Sequence, residues 1–318
     1  MHVLVTGAAG FVGQALVARL LRDHDDGHRS LQALTLLDVG FPASTTGAAR
    51  QLAGSIADAG LVRQAFERPV DRVFHLASIP GGTAEQEYEL ARDVNLGGTQ
   101  HLLEAARAQA LRGEGVARFV FASSIAVYGS PLPALVDDGT APNPQMSYGA
   151  QKLMSEIQVA DFSRRGWIDG VSLRLPGVLA RPPARTGQLS AFMSDLIREL
   201  AAGRSFTCPT SPQAATWASS VPNVVDNLLH AAEVAAGCLP PRRSLLLPTL
   251  HFTMGELVHA VAAVHGAQVH ELVRWAPQER IEALFGCFPP LRTPAADAAG
   301  FRHDGDLPTL VRRALQPL

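Results

Sequence analysis

Residues 2–13, HVLVTGAAGFVG, restrict the fold more than any other stretch of this 318-residue chain. The run from His2 to Thr6 reads as a short buried strand. Glycines follow at 7, 10 and 13, and then Val12, Ala15, Leu16 and Leu20 recur at helical spacing. A strand that turns on glycine straight into a helix gathers free N–H groups and the positive end of a helix dipole at one point, which suits an anion. Gly7 is expected to make the tight turn, Gly10 to let a pyrophosphate approach the backbone, and Gly13 to let the helix lie close to the sheet. The spacing is G-x-x-G-x-x-G rather than G-x-G-x-x-G. Alone it promises some dinucleotide. Asp38 narrows the promise. It ends the second apolar run, LQALTLLD, 25 residues after Gly13. That is near the offset at which a carboxylate accepts hydrogen bonds from the adenosine ribose. A carboxylate there repels a 2′-phosphate and no Arg follows directly, so NAD is expected rather than NADP.

Apolar runs and amphipathic stretches alternate through the first 180 residues, the pattern of a Rossmann-type, doubly wound parallel α/β sheet. VDRVFHLA (70–77) is a near-continuous apolar run of the kind a buried parallel strand shows. His75 inside it reads as a core histidine, and His24 and His28 as loop residues. The loop SIPGGTAE (78–85) leaves the end of that strand where such sheets bind ligands, so it is expected to face substrate. A helix over about 85–108 carries Asn95, Gly97 and Gly98, poor interior helix residues that mark a bend serving a site or a close helix–helix contact. RFVFASS reads as a strand ending at Ser123-Ser124, a helix is expected from Ser147, and Leu173–Leu179 reads as one further strand. After Arg181-Pro182-Pro183 the rhythm changes. Residues 1–180 are therefore read as an NAD-binding domain and 181–318 mainly as a smaller substrate lobe. The helix at about 222–236 is expected to pack back on the first domain.

A net charge of −2 gives no electrostatic case for nucleic acid or an anionic membrane. No apolar run approaches the roughly 20 residues that span a bilayer, and the first residues form a strand rather than a targeting segment. Cys208, Cys238 and Cys287 are odd in number and far apart. They suit neither disulfides nor metal ligation and point to a reducing cytoplasm.

Tyr148 and Lys152 fall four apart on one helix face, so their side chains can meet. Tyrosine, with an ordinary pKa of about 10, is a poor base at neutral pH. A neighbouring ammonium and an oxidised nicotinamide both favour its phenolate, which suits general-base work. Ser124, at a strand end, can hydrogen-bond the same substrate oxygen.

TGAAGFVG, Asp38, HLAS, Asn95, SSIAVYG and YGAQK together resemble the extended short-chain dehydrogenase/reductases, the group that holds sugar-nucleotide epimerases and dehydratases. The resemblance is strong over residues 1–180 and looser beyond. It implies Ser124 as the catalytic hydroxyl, Tyr148 as the acid/base and Lys152 as its partner, with Tyr148 and Lys152 also touching the nicotinamide ribose. It implies further cofactor contacts from Gly7, Gly10, Phe11, Val12, Gly13, Asp38, Ser55, Ile56, Leu76, Ala77, Asn95, Pro176 and Val178. Ser55 stands where many relatives carry an Asp against adenine. Within the family, HLASIPGG, LRLPGVLARPP, SAFMSDLIREL and the TW-SS patch at 216–220 are similar to the D-erythronate dehydrogenases. That similarity implies oxidation of the C2 hydroxyl of a small sugar acid, with substrate contacts from Ser78, Gly82, Ser124, Tyr148, Trp217 and the carboxylate candidates Arg181 and Arg185. Two other readings stay open. One is a nucleotide-sugar 4-epimerase and the other a non-catalytic NAD(H)-binding regulator, against which an intact Ser124/Tyr148/Lys152 set argues. A homodimer through the helices bearing Asn95 and Tyr148 is implied as well.

Overall fold

The computed structural model describes residues 1–41, 49–180 and 191–316. Its strands in chain order are β1 (His2–Thr6), β2 (Ala33–Asp38), β3 (Arg50–Ala53), β4 (Arg72–His75), β5 (Arg118–Ser124), β6 (Asp169–Leu175), β7 (Gly177–Leu179), β8 (Phe206–Cys208), β9 (Ala215–Ser220), β10 (Ser244–Leu246), β11 (Leu250–Thr253) and β12 (Val273–Trp275). Seven of them form the central sheet in the order β10-β6-β5-β4-β1-β2-β3, with every pairing parallel. β1 lies between β2 on one side and β4 on the other. The strand order reverses there, and the carboxyl ends of β1 and β4 open the crevice in which such sheets bind ligands.

Parallel strands covered on both faces read as unbroken apolar runs, and β1 is buried at all five positions. Successive side chains alternate between faces. Val3 and Val5 join the core under the Phe11–Asp25 helix with Leu16 and Leu20. Leu4 joins Phe119, Phe121, Leu102 and Val159 on the other side.

The second half of the chain contributes to both layers. The helix Val221–Ala231 packs its Val224, Val225 and Leu228 into the first core. Its start is fixed by Ser220, whose Oγ accepts from the Asn223 N–H at 3.2 Å while its own N–H donates to the buried Asp304 at 2.9 Å. The seventh strand, β10, also comes from the half that the sequence assigned to the lobe. Its three residues pair with Ser172, Leu173 and Arg174 and close the β6 edge. Another expectation changes at Pro176, where the single strand over Leu173–Leu179 divides. β6 stays in the central sheet, whereas β7 pairs with β9 in the three-stranded lobe sheet β11-β9-β7. The lobe closes its own core around Phe192, Leu196, Phe252, Leu257, Val261 and Leu310.

The helix expected over 85–108 is not continuous. Gly81–Gln86 and Tyr88–Ala91 precede a π-helical turn, Arg92–Gly98, and Thr99–Leu111 resumes the α-helix. A Cβ on Gly98 would lie 2.5 Å from Ile56 Cγ1. A close contact is therefore the reason for that glycine.

Candidate active site

The glycine turn and the exit of β4 abut. Gly7 has φ +70°, and a Cβ there would stand 2.6 Å from the Ala77 amide nitrogen and 2.8 Å from the Leu76 carbonyl carbon. A Cβ on Gly13 would fall 2.0 Å from the Gly7 carbonyl oxygen, so the first helix presses on the turn itself. The Phe11–Asp25 helix begins at Gly10 with no side-chain cap and no acidic residue in its first turn, which leaves the dipole's positive end for a ligand. Phe11 and Val12 are half-buried at this start. Asp38 closes the crevice beyond β2. Its Oδ2 accepts the Ala9 N–H at 2.8 Å and its Oδ1 the Val39 N–H at 2.7 Å. A side-chain-free cradle, an uncapped helix start and a carboxylate at the next strand end suit a dinucleotide.

The other expected cofactor residues divide. Leu76 and Ala77 are half-buried just past the end of β4, Val178 is half-buried in the middle of β7, and Pro176 sits between β6 and β7. Ser55 Oγ accepts the Ala57 N–H at 3.1 Å. The Ile56 side chain is in the core at 2% exposure, and its carbonyl meets His101 Nδ1 at 3.2 Å. Asn95 is buried and its amide works within the protein. Oδ1 accepts the Ile79 N–H at 2.7 Å, while Nδ2 donates to the Ile79 carbonyl at 3.1 Å and to Gln151 Oε1 at 2.7 Å. Asn95 thus ties the loop after β4 to the helix Ser147–Arg164.

β5 delivers Ser124 at its last residue, paired in register with Leu175. Its Oγ accepts the Ala126 N–H at 3.1 Å and caps the short turn Ile125–Val127. The Ser147–Arg164 helix rests on that turn, since a Cβ on Gly149 would be 2.3 Å from the Ala126 carbonyl oxygen. This approach brings Tyr148, the preceding residue, to the Ser124 turn. The loop Ser78–Gly82 completes the wall, and a Cβ on Gly81 would be 4.0 Å from Tyr148 Cδ1.

Lys152 is one turn further along, 3% exposed, with Nζ 5.6 Å from the Tyr148 ring centroid and 4.7 Å from that of Phe121. It donates to the Ala122 carbonyl at 2.7 Å. Burial pushes its pKa down to about 7, opposed by the charge of Glu156. The sequence holds 27 cationic side chains, and Lys152 is the one lysine among them. An arginine cannot titrate near neutrality, and its planar fork is not a compact point charge. That solitary lysine was a signal in the sequence that the Y-x-x-x-K spacing alone did not convey.

Other expected residues do not converge here. Trp217 is 1% exposed, packs against Phe288, and donates its indole N–H to the Pro289 carbonyl at 2.7 Å. Its side chain is thus packed in the core. Arg181 and Arg185 lie outside the described residues. His75 is a core histidine as expected, held between Thr6 Oγ1 and Thr99 Oγ1 at 2.8 Å each. Glu85 carried no signal in the sequence; its carboxylate receives the Ser147 N–H and so caps the Ser147–Arg164 helix.

This chain belongs to the NAD-dependent epimerase/dehydratase family, whose model matches residues 3–237. It is an oxidoreductase that depends on a nicotinamide dinucleotide. It is 37% identical to the D-erythronate dehydrogenase of Cupriavidus necator over 99% of this chain and 98% of that one. It is 31% identical to the D-erythronate dehydrogenase of Haemophilus influenzae over 99% of each. Among solved structures, a nucleoside-diphosphate-sugar epimerase from Agrobacterium tumefaciens superposes with a TM-score of 0.90 at 33% identity, covering 98% of this chain and 92% of that one.

Proposed function

We propose that this enzyme oxidises the C2 hydroxyl of D-erythronate to 2-keto-D-erythronate with NAD as acceptor. One observation carries the reading: relatives bearing the D-erythronate dehydrogenase name match through the lobe as well as the dinucleotide domain. Gly7, Gly10, Gly13 and Asp38 would hold the cofactor, with the Asp38 carboxylate selecting NAD over NADP. When bound, NAD takes up the hydride from C2. Tyr148 takes the hydroxyl proton on its phenolate oxygen, and the buried Lys152 ammonium favours that phenolate. Ser124 Oγ steadies the same substrate oxygen. The loop Ser78–Gly82 lines the substrate, and Arg181 and Arg185 are the cations proposed for its carboxylate. A second copy of the chain would cover the exposed Tyr88, Leu90, Met154 and Ile157 on the helices beside the site, giving a homodimer that sedimentation would register.

The test is NADH formation measured across D-erythronate, other four-carbon sugar acids, threonine and UDP-hexoses. Reduction with D-erythronate supports the reading. Interconversion of UDP-sugars without net NADH would replace it with the epimerase that the Agrobacterium structure's name suggests. Tight NADH binding without turnover would leave a regulator.

A further inference from the structure

Behind the Tyr148–Lys152 pair a buried polar chain crosses the molecule. Glu156 lies one helical turn after Lys152 and two after Tyr148. Its carboxylate is 3% exposed and grips β5 and β6 at a single rung, since Ser123 and Arg174 are register partners. Oε1 accepts from Ser123 Oγ at 2.5 Å and from Arg174 Nε at 3.0 Å, and Oε2 accepts from Arg174 Nη2 at 2.8 Å. Arg174 Nη1 continues to the Tyr128 hydroxyl at 2.9 Å, with its guanidinium 5.0 Å from that ring's centroid. Tyr128 closes the turn that Ser124 opens.

We propose that Glu156 is a positioning residue of the active site: it locks the end of β5, which carries Ser124, against the helix that carries Tyr148 and Lys152, and it serves as counter-charge to the Lys152 ammonium. The proposal rests on the dehydrogenase reading of that site. A buried ion pair is poor value for stability alone, because desolvation offsets most of its attraction. Here both ends of the network adjoin reacting groups. Ser123 precedes Ser124 in the chain, and Glu156 is Lys152's neighbour on the helix.

The surroundings of Lys152 make the charge role specific. β4 offers it His75, which burial holds well below its ordinary pKa and therefore neutral. β5 offers the Ala122 carbonyl and the Phe121 ring, and in the π-helical turn neutral Asn95 bonds to Gln151, the residue before Lys152. Its own helix contributes Tyr148 and Glu156, and β6 contributes Arg174 behind Glu156. Among the described residues Glu156 is the carboxylate that opposes the effect of burial on Lys152. Replacing Glu156 by Gln removes that opposition and leaves the Arg174 cation, so Lys152 loses its proton at lower pH. Replacing Arg174 by Met leaves Glu156 unbalanced and moves Lys152 the other way. A network that only held the fold would weaken both variants without opposite shifts.

The solitary lysine makes the measurement direct, because lysine labelled at Cε gives one side-chain resonance. In Glu156→Gln its titration midpoint is expected to fall by about one pH unit or more, and in Arg174→Met to rise. The alkaline limb of kcat for D-erythronate should follow in each case. Ser123→Ala removes a hydroxyl and no charge. It should leave the midpoint in place and lower kcat by roughly tenfold through looser placement of Ser124. An unmoved midpoint in Glu156→Gln, or shifts of the same sign in the two charge variants, overturns the counter-charge role. Wild-type kcat in Ser123→Ala overturns the positioning role. The resonance is read without substrate, so a wild-type enzyme that is inactive on D-erythronate refutes the substrate reading and leaves the lysine titration to decide this one.

Discussion

Replacing Gly7 by Ala separates two costs that usually arrive together. The first is conformational: at φ +70° an L side chain pays about 1–2 kcal/mol. The second is spatial. The new Cβ would stand 2.6 Å from the Ala77 nitrogen, where ordinary contact begins near 3.4 Å, so β1 and β4 must part by about 0.8 Å at their carboxyl ends. Every atom it meets there is backbone, which cannot swing aside as a side chain does. Overpacking of this kind costs roughly 1–3 kcal/mol. Gly166 supplies the control, with φ +72° and nothing within 4 Å of a Cβ. Gly166→Ala should therefore show the conformational cost alone, about 1–2 kcal/mol. Gly7→Ala should cost about 2–5 kcal/mol, which lowers the melting temperature by roughly 3–8 °C for a chain of this size. The displaced strand ends frame the cofactor crevice, so NADH titrated by fluorescence should bind at least ~10-fold more weakly to Gly7→Ala and normally to Gly166→Ala. Equal behaviour of the two variants in melting and in NADH binding would refute the close approach of β1 and β4 as the reason for the glycine.

Three further outcomes follow from the site. Tyr148→Phe should lower turnover by about 10²–10⁴-fold with NADH affinity unchanged; unaltered kcat would remove Tyr148 from the base role. Asp38→Ala deletes the carboxylate and frees the Ala9 amide. NAD affinity should drop by about 10-fold or more, as loss of charged hydrogen bonds does, and the ratio of NADP to NAD turnover should rise; an unmoved ratio counts against the ribose role. His75 gives a pH signature of stability. Its folded pKa lies well below the ordinary 6.5 because of burial, so below that pH the unfolded chain takes a proton that the fold refuses. Stability is then held above about pH 6.5 and lost on acidification at up to about 1.4 kcal/mol per pH unit. Urea midpoints compared at pH 7.5 and 5.5 should show a slope that His75→Gln flattens.

Much of the cofactor half was legible because its chemistry is local. A strand, a glycine turn and a helix lie within His2–Asp25, and Tyr148 and Lys152 are separated by a single helical turn. The parts that escaped depend on partners distant in sequence. β3 buries one residue of four, so its apolar pattern barely exists. β10 is three residues long and acquires its place only by pairing with β6. The π-helical turn is explained by Ile56, more than forty positions away from Gly98, and by the Asn95–Ile79 clamp. The packing of Trp217 is equally non-local, since its ring meets Phe288 and its indole N–H the Pro289 carbonyl, both about seventy positions further on. The Glu156–Arg174 pair was invisible for the same reason as β10, since eighteen residues separate partners that only the sheet brings together.

The path of the chain between its two layers bears on modularity. β6 passes into β7 through Pro176 alone, β9 runs directly into the helix Val221–Ala231, and three residues separate β10 from β11. Near the C-terminus, Phe301 belongs to the dinucleotide core and Leu310 to that of the lobe. Repeated stitching of this sort leaves no point at which the chain can be cut into self-sufficient halves. A fragment ending at residue 180 would bare the face of Val3, Val5, Leu16 and Leu20 and leave the β6 edge unpaired. Exchange of specificity between relatives by grafting a C-terminal segment therefore has to carry the seventh strand and its helix along, and the two layers are expected to melt in a single calorimetric transition.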